Sequence, residues 1–158
     1  MNTFFEQRKK SRFYILYVIN EIISYENIEK KEDIFYIKCG NNGIEQLTSY
    51  LLTMKEIPNE YFIFLSLYLL KFHKNVKPGF ITCFNIQLIF ICGLLLIWKF
   101  LDDKPPLYLN KIFSKILKIN ISKINEAEIE FFKILDYSIF ISNEEIENLK
   151  IEFEKFQI

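Results

Sequence analysis

Histidine occurs once in the chain, as His73 between Phe72 and Lys74. A catalytic triad or a zinc site built on it would need partners at recognised spacings, and the sequence supplies none. His73 therefore reads as a partly exposed residue at a helix end. The three cysteines, Cys39, Cys83 and Cys92, are odd in number, far apart and outside any C-x-x-C spacing. They point to a reduced, intracellular protein rather than to a disulfide or zinc scaffold. No glycine-rich phosphate loop is present, and no serine sits in a nucleophile elbow. An enzyme is not expected, and no cofactor is implied.

Turn-forming residues and net charge are equally scarce. Four glycines and four prolines are few for an all-β chain, in which each hairpin usually needs its own breaker, so the long unbroken segments predict an all-α fold. Lysine plus arginine equals aspartate plus glutamate at 20 each, and no global field draws the chain to phosphate backbones or acidic lipid. Neither nucleic acid nor membrane is implied as a partner. The 158 residues, 51% hydrophobic and 17% aromatic, suffice for one domain with its own core. The opening "MNTFFEQRKKSRFYILYVINEI" places charge before an apolar stretch as a signal peptide does, yet it lacks a small-residue cleavage site and runs into Asn20 and Glu21. It reads as a helix.

Apolar periodicity then sets the organisation. Residues 9–26 place Phe13, Leu16, Tyr17, Asn20 and Ile23 at helical intervals, and residues 27–43, charged and broken by Gly40 and Gly43, read as a linker. In "GIEQLTSYLLTMKEIP" the residues Ile44, Leu47, Leu51 and Met54 share one face up to Pro58. "PNEYFIFLSLYLLKFHK" opens on a proline and is apolar nearly all round, which predicts a buried helix. "LYLNKIFSKILKI" presents Leu109, Ile112, Phe113 and Ile116 on one side. "SKINEAEIEFFKILDYSIFI" starts with Ser122 as an N-cap and turns Ile124, Ala127, Phe131, Ile134 and Leu135 inward. "SNEEIENLKIEFEKF" opens with Ser142 or Asn143 and acidic residues that oppose the helix dipole favourably. The expected division is 1–43 as N-terminal helix and charged linker, 44–141 as a block of five helices, and 142–158 as a C-terminal helix.

The most apolar segment, "ITCFNIQLIFICGLLLIWKFLDDKPP", admits three readings. A membrane span takes roughly 20 apolar residues, whereas Asn85 and Gln87 interrupt this one and the uninterrupted run from Leu88 to Trp98 has 11 residues. A metal site on Asp102 and Asp103 would need further oxygen ligands, and no third carboxylate lies within a turn. The remaining reading is a core helix with Cys92 and Gly93 at a close helix crossing and Lys99 in its last turn.

From Lys99 onward the chain resembles the cyclin box, specifically that of the phosphate-response or P/U-type cyclins that activate cyclin-dependent kinases. The similarity runs in order through Lys99, Asp102-Asp103, Tyr108 and Asn110, Glu128, Phe131-Phe132, Leu135-Asp136-Tyr137 and Ser142, with Asn85 matching an upstream asparagine. It covers about residues 44–143 and implies a five-helix cyclin box with one flanking helix at each end. It also implies a non-catalytic subunit that binds a cyclin-dependent Ser/Thr kinase, with Lys99 and Glu128 holding backbone groups beside the kinase's αC helix. The kinase-binding residues implied are Lys99, Phe100, Asp102, Glu128, Phe132 and Tyr137, and the further family-signature residues are Asn85, Asp103, Asn110 and Asp136. Nuclear or cytoplasmic residence follows from the same resemblance. From the residues alone, Glu128 and Phe132 lie four apart on one helical face, an acidic group beside an apolar anchor, and Lys99 with Glu128 could equally be an ordinary solvated pair.

The sequence also departs from that pattern. Bulky Ile97 stands where these proteins prefer a small residue, and Gln87 and Leu88 replace a His-Arg pair. The substrate-docking motif of mitotic cyclins has no counterpart in "IEQLTSYLLTMK", and no second repeat is expected after the first. Two other readings therefore stand beside the kinase subunit: a cyclin-fold interaction scaffold without a kinase, and a small helical membrane protein built on Tyr61–Phe72 and Phe80–Trp98.

Overall fold

The computed structural model describes residues 3–24, 33–38 and 43–156. They form seven helices and, among the described residues, no strand: α1 (Thr3–Ile22), α2 (Gly43–Leu51), α3 (Asn59–Asn75), α4 (Ile86–Leu101), α5 (Leu109–Leu117), α6 (Ile121–Ile134) and α7 (Asn143–Phe156). The all-α expectation of five helices with one on either side is met. Cys39 and Gly40 of the expected linker lie outside the described residues.

The centre is α4, which packs against α2, α3, α5 and α6. Every residue from Ile86 to Trp98 is buried, so the apolar run is enclosed by neighbouring helices on all sides. No helix among the described residues is long and apolar enough to cross a membrane. Gly93 lies at a close approach of α3 and α6 to α4: a Cβ there would stand 2.7 Å from Leu65 Cδ1 and 3.3 Å from Phe131 Cζ. The second layer is α3, which touches α1, α4, α6 and α7. Phe131 of α6 stacks on Phe72 of α3 with ring centroids 4.9 Å apart. This joins α3 and α6 beside α4.

Several details differ from expectation. The buried stripe of α1 is Tyr14, Ile15, Val18, Ile19 and Ile22, whereas Phe13 is 57% exposed and Asn20 is exposed. The helix carries apolar residues on two faces, and the one chosen also buries Arg8 and Ser11. Arg8 donates from Nη2 to the carbonyl oxygens of Met54 (2.8 Å) and Ile57 in the turn between α2 and α3. A buried guanidinium is tolerable because these acceptors replace water. The stretch 33–38, expected within a charged linker, brings Phe35 and Ile37 into the core. Phe35 meets Phe72 edge-on at 5.5 Å, and Ile37 N donates to Phe84 O at 2.8 Å. The N-cap of α6 is Asn120 rather than Ser122: its side chain accepts from Ser122 N at 2.8 Å. Ile112 is more exposed than expected, leaving Leu109 and Phe113 to anchor α5. For α7, Ser142 forms a reciprocal cap with Glu145: Glu145 N donates to Ser142 Oγ at 3.1 Å, and Ser142 N donates to Glu145 Oε2 at 2.7 Å. The hydrogen bond from Ser142 N is the chief reason the Glu145 carboxyl lies below its ordinary pKa.

Candidate functional site

Lys99 ends the buried helix because the chain leaves the core there: Trp98 is 2% exposed and Phe100 is 52% exposed. The lysine stem rises from the protein's interior and its ammonium reaches the surface. Glu128 lies in the third turn of α6, one residue past buried Ala127, and its side chain is only 13% exposed. The packing of α4 on α6 brings the two together, with Lys99 Nζ 2.8 Å from both carboxylate oxygens. Asn110, in the first turn of α5, donates to Glu128 Oε2 at 2.8 Å and to Asn125 Oδ1 at 2.7 Å. Three helices thus converge on one carboxylate. Cys92, seven residues before Lys99, lies close enough to feel both charges. Burial pushes its thiol well above the ordinary range, Glu128 pushes further and Lys99 opposes. A neutral, enclosed thiol is inert.

Beside this polar cluster stands an aromatic one. Phe100 and Phe132 lie 5.9 Å apart, and Tyr137 meets Phe132 edge-on at 5.2 Å. Tyr137 is 60% exposed, and both it and Asp136 adopt φ of 55°. Left-handed backbone at a bulky residue is uncommon, and here it closes α6: Tyr137 N donates to Phe132 O at 3.0 Å. The turn thereby leaves the tyrosine ring at the surface next to Phe132.

Not all expected site residues join this face. Asp102 caps the end of α4, accepting from Trp98 Nε1 at 3.2 Å and from Lys104 N at 2.9 Å. Its carboxylate holds the chain reversal into the two prolines. Asp103 and Asp136 are exposed. Asn85 belongs elsewhere, at the opposite end of α4 and about 21 Å from Lys99 along the axis. It is buried, accepts from Thr82 N (2.8 Å), and donates to Phe80 O (2.7 Å) and Asp33 Oδ2 (3.1 Å). It organises the turn into α4 and ties in the stretch 33–38. Ile97 is fully buried, so its bulk is taken up inside the core. Asn125 was not singled out from the sequence; its position three residues before Glu128 is the one signal that could have found it. Among the described residues no group of three His, Cys, Asp or Glu side chains could hold a metal.

Comparison with known proteins agrees with the order of these elements. The family model described as "Cyclin" matches residues 22–139. The PHO85 cyclin-like protein psl1 of Schizosaccharomyces pombe is 32% identical over 109 residues, 66% of this chain and 43% of the relative. The chain thus spans less than half the length of that curated relative. No solved structure matches. A match from the end of α1 through α6, on the helices that assemble the Lys99–Glu128–Asn110 cluster, shows that the chain belongs to the cyclin family, in keeping with the phosphate-response type.

Proposed function

We propose that this chain is the regulatory subunit of a cyclin-dependent Ser/Thr kinase and docks on the kinase's αC helix through Lys99, Glu128 and the Phe100–Phe132–Tyr137 cluster. The observation that carries this is the pairing of an anchored ion pair with exposed aromatics on one face of a cyclin-family chain. An ammonium has three donors, and two are directed at Glu128, so the third is available to a backbone carbonyl of a partner. The carboxylate, held by Lys99 and Asn110, keeps acceptor capacity for a backbone N–H. Exposed Phe100 and Tyr137 supply the apolar anchors that interface centres need. The name of the Schizosaccharomyces pombe relative, a PHO85 cyclin-like protein, supports the same reading. Binding there would move the kinase helix inward, so that its glutamate pairs with the lysine that positions ATP phosphates. The cyclin itself does no chemistry, and it acts in the nucleus or cytoplasm.

The test is affinity purification from the native cell with wild type and Lys99→Glu/Glu128→Lys as baits. The charge swap keeps an internal ion pair, so helical content is retained while the polarity presented to a partner reverses. A kinase recovered by wild type and lost by the double variant is the expected result. Equal recovery by both baits would refute the site. Recovery by neither folded bait would leave an interaction scaffold without a kinase as the better reading.

A further inference from the structure

Between Asp103 and Glu126 the chain has no acidic residue: residues 104–125 contain Lys104, Lys111, Lys115, Lys118 and Lys123 and neither aspartate nor glutamate. On two other helices a lysine is balanced locally. On α6 Lys133 stands 3.8 Å from Glu130, and on α7 Lys150 stands 2.9 Å from Glu147. On α5 Lys111 and Lys115 are four apart, with Lys118 at the C-terminal end, and all three are exposed. This spacing lines them along one ridge, roughly opposite buried Leu109 and Phe113. Among the described residues none of the three has a carboxylate within ion-pairing distance. Like charges at this spacing disfavour a helix, so the ridge does not serve the stability of α5.

Two further features mark the N-terminal end of the ridge. Leu107 and Tyr108 are 80% and 75% exposed, and Tyr108 has φ of 64°, a conformation a bulky residue holds only where its surroundings impose it. The next turn carries Asn110, which binds Glu128. Lys111 follows it by one residue, about 100° round the helix. The ridge therefore borders the face assigned to the kinase without being part of it.

We infer that the lysine ridge of α5, with Leu107 and Tyr108 at its head, holds an acidic segment bearing an aliphatic or aromatic residue in the polypeptides that the bound kinase phosphorylates. This rests on the kinase reading above. A segment held there is tethered beside the kinase, which raises its effective concentration at the active site. Charge complementarity calls for an anionic partner, and two features favour acidic polypeptide over nucleic acid. The ridge has no arginine, the residue best suited to bidentate phosphate contacts, and the two arginines of the chain, Arg8 and Arg12, are in α1. The net charge of zero provides no long-range attraction to a phosphate backbone.

The first experiment uses the chain alone. Fluorescence anisotropy would follow a labelled peptide of glutamate, aspartate and leucine, beside its glutamine–asparagine–leucine counterpart and a single-stranded oligonucleotide. The acidic peptide should bind, weaken with added salt, and bind about tenfold more weakly to Lys111→Glu/Lys115→Glu. No binding, equal binding of the neutral peptide, or equal binding by the variant overturns the inference; tighter binding of the oligonucleotide overturns it in favour of nucleic acid. The second experiment uses the kinase recovered on each bait, given a peptide substrate with and without an acidic extension. Wild type should favour the extended substrate, and Lys111→Glu/Lys115→Glu should recover as much kinase but lose the preference. No preference with wild type overturns the substrate role. Absence of any kinase on wild type overturns the kinase reading and the substrate role with it, whereas the peptide binding of the ridge is decided by the first experiment.

Discussion

Gly93→Ala sets two effects of similar size against each other. Replacing a mid-helix glycine of α4 by alanine favours the helix by about 1 kcal/mol. Against this, the new methyl would stand 2.7 Å from Leu65 Cδ1, closer than real Cβ atoms approach a neighbour, and 3.3 Å from Phe131 Cζ. Leu65 is fully buried and cannot swing into solvent, and the Phe131 ring is stacked on Phe72 and cannot yield sideways. Overpacking of such a core costs about 1–3 kcal/mol. The net expectation is a loss of about 1 kcal/mol, read as an earlier urea midpoint by far-UV circular dichroism and a melting temperature lower by about 2–4 °C. Leu65→Val removes the atom at 2.7 Å, so in that background Gly93→Ala should cost less than in wild type or become stabilising, a non-additivity expected of touching residues. A rise in stability from Gly93→Ala by itself would show that α3, α4 and α6 are not held as closely as described.

Two further outcomes test the packing and its titration. Arg8→Met keeps most of the buried stem but removes the side-chain donor to the Ile57 carbonyl and one of two donors to that of Met54, which also accepts from Ile57 N, and should cost about 1–3 kcal/mol and loosen α1 to protease; an unchanged urea midpoint would show that α1 docks through its apolar stripe alone. Tyr68, buried and donating to Ile139 O at 2.7 Å, has its phenol pushed up to about 12 by desolvation. Its raised value means the contribution is fully present below the ordinary pKa of about 10 and is lost as pH rises towards about 12. Stability should therefore fall across that window, and Tyr68→Phe should flatten part of the fall while costing about 1 kcal/mol at neutral pH; an alkaline limb identical to wild type would refute this.

Much of the fold was legible from local pattern. The scarcity of breakers, the 3.6-residue periodicities, Pro58 before α3 and the opening of α7 at Ser142 or Asn143 with acidic residues in its first turn are short-range signals, because helix formation and capping depend on neighbours within a turn. The enclosed character of α4 was legible too, since a run of 11 apolar residues flanked by Asn85 and Gln87 suits a protein core better than a bilayer. Order along the chain also marked Lys99, Glu128 and Asn110 as belonging to one family pattern.

Only the tertiary structure decided which of two apolar stripes of α1 faces inward. The choice depends on the surface of α3 and on carbonyl acceptors near Met54 and Ile57 that can satisfy Arg8, and these are remote in sequence. The burial of Phe35 and Ile37, within a stretch whose composition reads as linker, likewise required the Phe72 ring and the Phe84 carbonyl that meet them. The separation of Asn85 from the Lys99 end of α4, and the convergence of α4, α5 and α6 on the Glu128 carboxylate, are products of helix packing. Periodicity reports which side of a helix is apolar, whereas what that side meets is set by long-range packing.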